Sequence, residues 1–203
     1  MSQRDQHPEI LMEQARAGDD AARGRLLELY RNYLQVIARS LIEPELRPLV
    51  AASDVVQETY LEAHRHFEQF QGRDEAVLVA WLRTILVRSL ANQAGYHRAG
   101  RRDVRRQRSI EQALDRSGAA LHSVLAGSVS SPSAQAIRRE EAVLLADALE
   151  RLTPEYREVF ILRNLDGLAF NAIAAQLGRT TSAVRRAWSR AVVELSRMLE
   201  EVP

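Results

Sequence analysis

Ser182, Arg185, Arg186, Ser189 and Arg190 recur at helical spacing near the C-terminus. These residue types suit nucleic acid: Arg reads guanine edges or grips phosphates, and Ser reaches either. A second collection runs from Arg83 to Arg108. It holds Arg83, Arg88, Arg98, Arg101, Arg102, Arg105, Arg106 and Arg108 against the single acid Asp103. That clustering fits phosphate contact, which gives affinity without sequence information. The plain alternative for its far end is a solvated basic linker. A third set, Asp54, Gln57, Glu58 and Leu61, also shares one helical face. Taken by itself, a polar stripe of this kind is most often a solvated face.

The chain offers little to catalysis. Its five His are His7, His64, His66, His97 and His122. His64 and His66 are two apart, so they point to different sides of a helix. There is no Cys, which excludes disulfides and Cys-based metal sites and suits a reducing cytoplasm. No phosphate-binding Gly loop and no nucleophile motif occurs. The expectation is a binding protein and not an enzyme, with no catalytic residue, no metal and no cofactor. Net charge is only +1, so this is no histone-like polycation. No apolar run approaches a membrane span, and the N-terminus does not read as a signal peptide.

Ala, Leu, Glu and Arg dominate and β-branched runs are scarce, which favours an all-α fold. Glu9 to Ala17 reads as a first helix, with Ile10 and Leu11 inward. Gly18 breaks it, and Asp19 or Asp20 can cap the next. That helix runs from about Ala21 to Leu41, with Leu26, Leu29, Tyr30, Tyr33, Leu34, Ile37 and Leu41 at core spacing. Pro44 and Pro48 mark a connection. Ser53-Asp54 opens a helix to Phe67, with Val56, Tyr60, Ala63 and Phe67 as its core stripe. Gly72-Arg73-Asp74 is a break. A helix from about Glu75 to Tyr96 then buries Leu78, Trp81, Leu82, Ile85, Leu86 and Leu90, with Arg83, Thr84, Arg88 and Asn92 off that stripe. Trp81 reads as core rather than as a base-stacking residue.

Residues 107–136 look like a flexible linker, rich in Ser, Gly and Ala, in which Ser109 to Leu114 could form a transient helix. A helix Ile137 to Arg151 follows, with Val143, Leu144, Ala148 and Leu149 inward. Thr153 can cap the next, Pro154 suits its first position, and Gly167 can end it. A short helix then carries Phe170, Ile173, Ala174 and Leu177 on one face. Gly178 breaks it, and Thr180 can cap a last helix that buries Val184, Trp188, Ala191, Val192 and Leu195. Two short helices joined at a Gly, the second with a basic outer face, read as a helix-turn-helix. An ordinary helical hairpin with a solvated Arg face gives the same pattern.

Several motifs together resemble the extracytoplasmic-function (ECF) sigma factors of bacterial RNA polymerase, in the sigma-70 family. Their C-terminal signature appears as Leu152 to Val159, Gly167-Leu168, Ile173 to Gly178 and Val184-Arg185. Their N-terminal signature appears as Asp54-Val55-Val56-Gln57-Glu58, then Phe70-Gln71-Gly72, then Ala80-Trp81-Leu82-Arg83-Thr84-Ile85. Two signatures in the right order are far more specific than either alone. The sequence departs from the family in two of its helices. Arg88-Ser89 stand where members often carry Asn, and Ala169 stands where Ser or Thr often caps the first helix of the helix-turn-helix.

The resemblance implies two small helical domains on a flexible tether: sigma region 2 over residues 1–106, a linker over 107–136, and sigma region 4 over 137–203. It implies RNA polymerase core and promoter DNA as partners, the core through its β′ clamp and β flap, in the cytoplasm. An anti-sigma factor is a further partner the resemblance admits, though nothing in the sequence encodes one. By resemblance Asp54, Gln57, Glu58 and Leu61 contact the clamp. The carboxylates would face Arg on the partner, and Leu61 supplies an apolar anchor. Arg83, Thr84, Arg88, Asn92, Arg98, Arg101 and Arg102 serve the -10 region. Ser182, Arg185, Arg186, Ser189 and Arg190 serve the -35 region. The competing reading is a stand-alone helix-turn-helix regulator acting without core polymerase, against which the Asp54/Gln57/Glu58 stripe speaks.

Overall fold

The computed structural model describes residues 7–42, 46–97 and 132–201, with backbone alone for 94–97 and 132–141. The chain splits into two compact units, Met1–Leu114 and Asp115–Pro203. Among the described residues every regular element is helical.

In the first unit, α1 (Pro8–Arg16) has Pro at its first position and buries Leu11, Met12 and Ala15. Ile10 was expected inward, but it is 40% exposed. Gly18 turns the chain at φ +92°, and Asp19 Oδ1 accepts from Ala22 N at 2.9 Å to cap α2 (Asp20–Glu28). That turn lays α1 on α2, with Leu11, Met12 and Ala15 buried and Ile10 left outside the packed side.

The single helix expected over Ala21–Leu41 is two. The chain bends at Leu29-Tyr30 before α3 (Arg31–Leu41), and Tyr30 lies at φ −102°, ψ 4°. Its N–H donates to Leu27 O rather than continuing the ladder. Leu26, Tyr30, Tyr33, Leu34, Ile37 and Leu41 are all buried, while Leu29 is half-buried. A bend that keeps the inward stripe in phase leaves no mark in the apolar pattern.

α4 (Ala52–His66) starts ahead of the expected Ser53-Asp54 opening, with Ala51 at its N-cap and no side-chain cap. The Ser53 hydroxyl bonds the Asp54 carboxylate instead. Val55, Val56, Thr59 and Ala63 are buried and Tyr60 is half-buried. Thr59 is fully enclosed because its hydroxyl donates to Val55 O at 2.7 Å, which satisfies it inside the helix.

A 3₁₀ turn at Phe67–Gln69 leads to α5 (Glu75–His97), which packs on α3 and α4. Asp74 Oδ1 accepts from Val77 N at 2.8 Å and caps it. Leu78, Leu82, Ile85, Leu86 and Leu90 are buried as expected, and Val79, Val87 and Ser89 join them. Trp81 is half-buried, with its ring 5.0 Å from Phe70 and 6.1 Å from Phe67. Arg23 lies over Phe67 and Arg16 over Phe70. A Cβ on Gly72 would collide with the Phe70 ring and Val77 Cγ1, so the close approach requires Gly here.

In the second unit, α6 (Pro132–Arg151) begins at Pro132 rather than Ile137, inside the stretch expected to be linker. Pro is favourable in a first helical turn, so the Ser-Pro breaker is a helix start. Ala142, Leu145, Ala146, Ala148 and Leu149 are buried, whereas Leu144 is 38% exposed and Val143 half-buried. An unbroken apolar run from Ala142 to Ala146 does not show which side faces in. The remaining helices are α7 (Pro154–Asn164), α8 (Phe170–Leu177) and α9 (Thr181–Glu200), and α9 packs on α6, α7 and α8. The transient helix expected over Ser109 to Leu114 lies outside the described residues.

Candidate nucleic-acid interface

The helix-turn-helix is assembled by local chemistry. Thr153 Oγ1 accepts from Tyr156 N at 3.4 Å with Pro154 at the first position of α7. After α7, Gly167 takes φ +69°, and Leu168 N donates to Leu162 O at 3.0 Å. Arg163 Nη1 donates to Leu168 O at 3.0 Å and lies 4.7 Å over the Phe170 ring, which ties the turn to α8. Ala169 caps α8 without a side-chain bond. Gly178 ends α8 in the left-handed region at φ +62°, and Thr180 Oγ1 accepts from Ala183 N at 3.2 Å to open α9.

Behind the turn, Val159, Leu162, Ile173, Ala174, Val184 and Ala187 form one core cluster. Trp188 packs against it with its ring 5.6 Å from Phe170, and its Nε1 donates to Asn164 Oδ1 at 2.9 Å. Trp188 and Val192 are half-buried, and Ala187 is an inward residue that periodicity did not mark.

That packing leaves the other face of α9 open. Ser182, Arg185, Arg186, Ser189 and Arg190 are all exposed. No acid occurs on α9 before Glu194, so the positive helix N-terminus and three Arg add in sign. Arg185 lies 5.4 Å over Phe170, and Arg190 Nη1 donates to the Tyr156 hydroxyl at 3.2 Å.

In the first unit, burial of Val55, Val56, Thr59 and Ala63 turns a different face of α4 outward. Asp54, Gln57 and Leu61 are exposed, Leu61 by 46%, and Glu58 is half-exposed. Beside them burial pushes the Tyr60 hydroxyl well above its ordinary range, and it stays neutral at physiological pH. On α5, Thr84, Arg88 and Asn92 are exposed and Arg83 is half-buried. Thr84 Oγ1 donates to Ala80 O at 3.0 Å, which leaves its lone pairs for an incoming donor. Arg98, Arg101 and Arg102 lie outside the described residues. Among the described residues no metal-sized group of His and carboxylates gathers, and no helix is long and apolar enough to cross a membrane.

The family description "Sigma-70 region 2" matches residues 26–102, and "Sigma-70, region 4" matches residues 142–195. Together they take in more than half of the chain. The ECF RNA polymerase sigma factor BldN of Streptomyces coelicolor is 32% identical over 194 residues, covering 94% of this chain and 65% of that protein. The chain belongs to the ECF subfamily of sigma-70 factors. The RNA polymerase sigma factor NccH of Alcaligenes xylosoxydans xylosoxydans is 27% identical, over 95% of this sigma factor and 94% of the relative. The ECF RNA polymerase sigma factor SigD of Mycobacterium tuberculosis is 29% identical, over 100% and 87% respectively.

Every candidate site residue of this sigma factor falls inside one of the two matched regions. The sequence did not single out the pairs that hold the basic residues in place. Arg179 pairs with Glu155, and Arg190 with Tyr156. Arg157 donates through Nε to Leu149 O at 3.0 Å and through Nη2 to Glu150 O at 2.7 Å and Leu152 O at 3.2 Å. Its Nη1 also lies 2.7 Å from Glu150 Oε2. Long-range pairs of this kind have no spacing signal, although Arg157 stood within the recognised motif.

Proposed function

We propose that this sigma factor docks on core RNA polymerase through the α4 face of Asp54, Gln57, Glu58 and Leu61. On that reading it takes the unpaired -10 strand along Arg83, Thr84, Arg88 and Asn92, and Arg98, Arg101 and Arg102 add phosphate contacts. α9 lies in the -35 major groove with Ser182, Arg185, Arg186, Ser189 and Arg190 toward DNA. Catalysis stays with the polymerase, and the site of action is the cytoplasm. The observation that supports this best is the separation of faces. On α4 and on α9 the apolar side is inward and the polar set stands open. Two weak DNA contacts on one tethered chain act as a bivalent binder once the polymerase fixes their geometry.

Arg185→Ala tests the placement of α9. It is expected to weaken promoter binding by the holoenzyme by about 1–3 kcal/mol, with the loss concentrated at one -35 base pair. A panel of -35 substitutions measured with both proteins gives the answer. Equal binding by wild type and variant across the panel would mean that α9 presents another side.

A further inference from the structure

Arg190 is placed differently from the other arginines of α9. Arg185 stays on its own side of the motif, over the Phe170 ring. Arg190 reaches back to α7, where its Nη1 donates to the Tyr156 hydroxyl at 3.2 Å. Tyr156 is a firm anchor, because its ring packs against the core cluster of Val159, Leu162 and Ile173. The neighbouring residue, Glu155, holds Arg179 from ahead of α9. Adjacent residues in the first turn of α7 thus gather two arginines from separate parts of the chain.

The first turns of a recognition helix reach base edges, and those turns carry Ser182, Arg185 and Arg186. Arg190 comes later along the helix, and its guanidinium is directed toward α7. With the first turns of α9 in the groove, a donor so directed would lie nearer the sugar-phosphate backbone than the base edges. A free Arg loses much rotamer freedom when it grips a phosphate, and a bond formed beforehand removes part of that cost.

We propose that Tyr156 is a positioning residue that holds Arg190 as a phosphate clamp rather than as a base reader. The proposal rests on the reading of α9 as the -35 recognition helix.

The test uses holoenzyme on a panel of -35 sequences over a range of salt, with Tyr156→Phe, Arg190→Ala and the double variant. Tyr156→Phe keeps the packed ring, and an unchanged unfolding midpoint checks the fold. Arg190→Ala is expected to lower affinity about tenfold for every sequence and to reduce the salt slope by about 1. Tyr156→Phe is expected to cost about threefold alone and nothing further in the Arg190→Ala background. The same loss in both backgrounds, or none in either, overturns the positioning role. A loss on Arg190→Ala confined to one base pair overturns the clamp. If Arg185→Ala is also silent, the placement of α9 fails with it. If Arg185→Ala instead shows its loss at one -35 base pair, only the Tyr156 assignment fails.

Discussion

Phe67→Ala is expected to destabilise the first unit by about 3–5 kcal/mol, the range for emptying a large buried aromatic position. Phe67 is 2% exposed and sits where the chain leaves α4. Its ring lies 5.9 Å from Phe70 and 6.1 Å from Trp81, with the Arg23 guanidinium 5.3 Å from its centroid. Arg23 Nη1 also donates to His64 O at 3.4 Å, so loss of the ring loosens the end of α4 as well as leaving a cavity. The chain has two Trp, one in each unit: Trp81 here and Trp188 in the helix-turn-helix. In a Trp188→Phe background, fluorescence during denaturant unfolding follows the first unit alone. The expected result is a midpoint moved strongly down with little change in slope. A shift worth less than about 1 kcal/mol would mean that the site collapses onto Phe70 and Trp81 and that Phe67 does not organise the cluster.

Arg157→Ala is expected to cost the second unit about 2–4 kcal/mol. One guanidinium serves the C-terminal carbonyls of Leu149 and Glu150 and that of Leu152, and pairs with the Glu150 carboxylate. The last carbonyls of a helix have no partner within it, and here α7 reaches back to supply one. The Arg157 side chain is 18% exposed and that of Glu150 25%, so removal leaves a carboxylate and carbonyls poorly solvated. Arg157→Lys is expected to restore little, because an ammonium lacks the planar fork that reaches several acceptors at once. Trp188 fluorescence in a Trp81→Phe background reads this transition. Full stability with Lys would show that charge alone matters at this position.

These two sites differ in how plainly the sequence declared them. Phe67 closes a stripe with Val56, Tyr60 and Ala63, so its burial follows from period alone. Arg157 lies between the acids Glu155 and Glu158 within the signature Leu152 to Val159, and nothing local points to carbonyls of the preceding helix. The same divide runs through the fold. Caps and breaks with a chemical cause were legible: Asp19, Thr153, Thr180, Gly167 and Gly178 do what their side chains or their freedom at positive φ allow. The bend at Leu29-Tyr30 was not, because apolar residues fall in phase on both sides of it. Leu144 was misplaced because an unbroken apolar run has no preferred face. In the candidate interfaces, the exposed sets on α4 and α9 were legible as the complements of core stripes. The bonds that orient Arg190 and Arg179 depend on how α7 meets the chain around α9, and no sequence spacing encodes that.

Co-purification with core RNA polymerase tests the central reading most directly, using wild type and a Glu58→Ala/Leu61→Ala double variant. Both positions lie outside the packed stripe of α4, so the variant should fold with an unchanged unfolding midpoint. The expected result is stable binding by wild type and a loss of binding in the variant of about tenfold or more. A well-folded variant that binds core as tightly as wild type would place the docking face elsewhere on the chain.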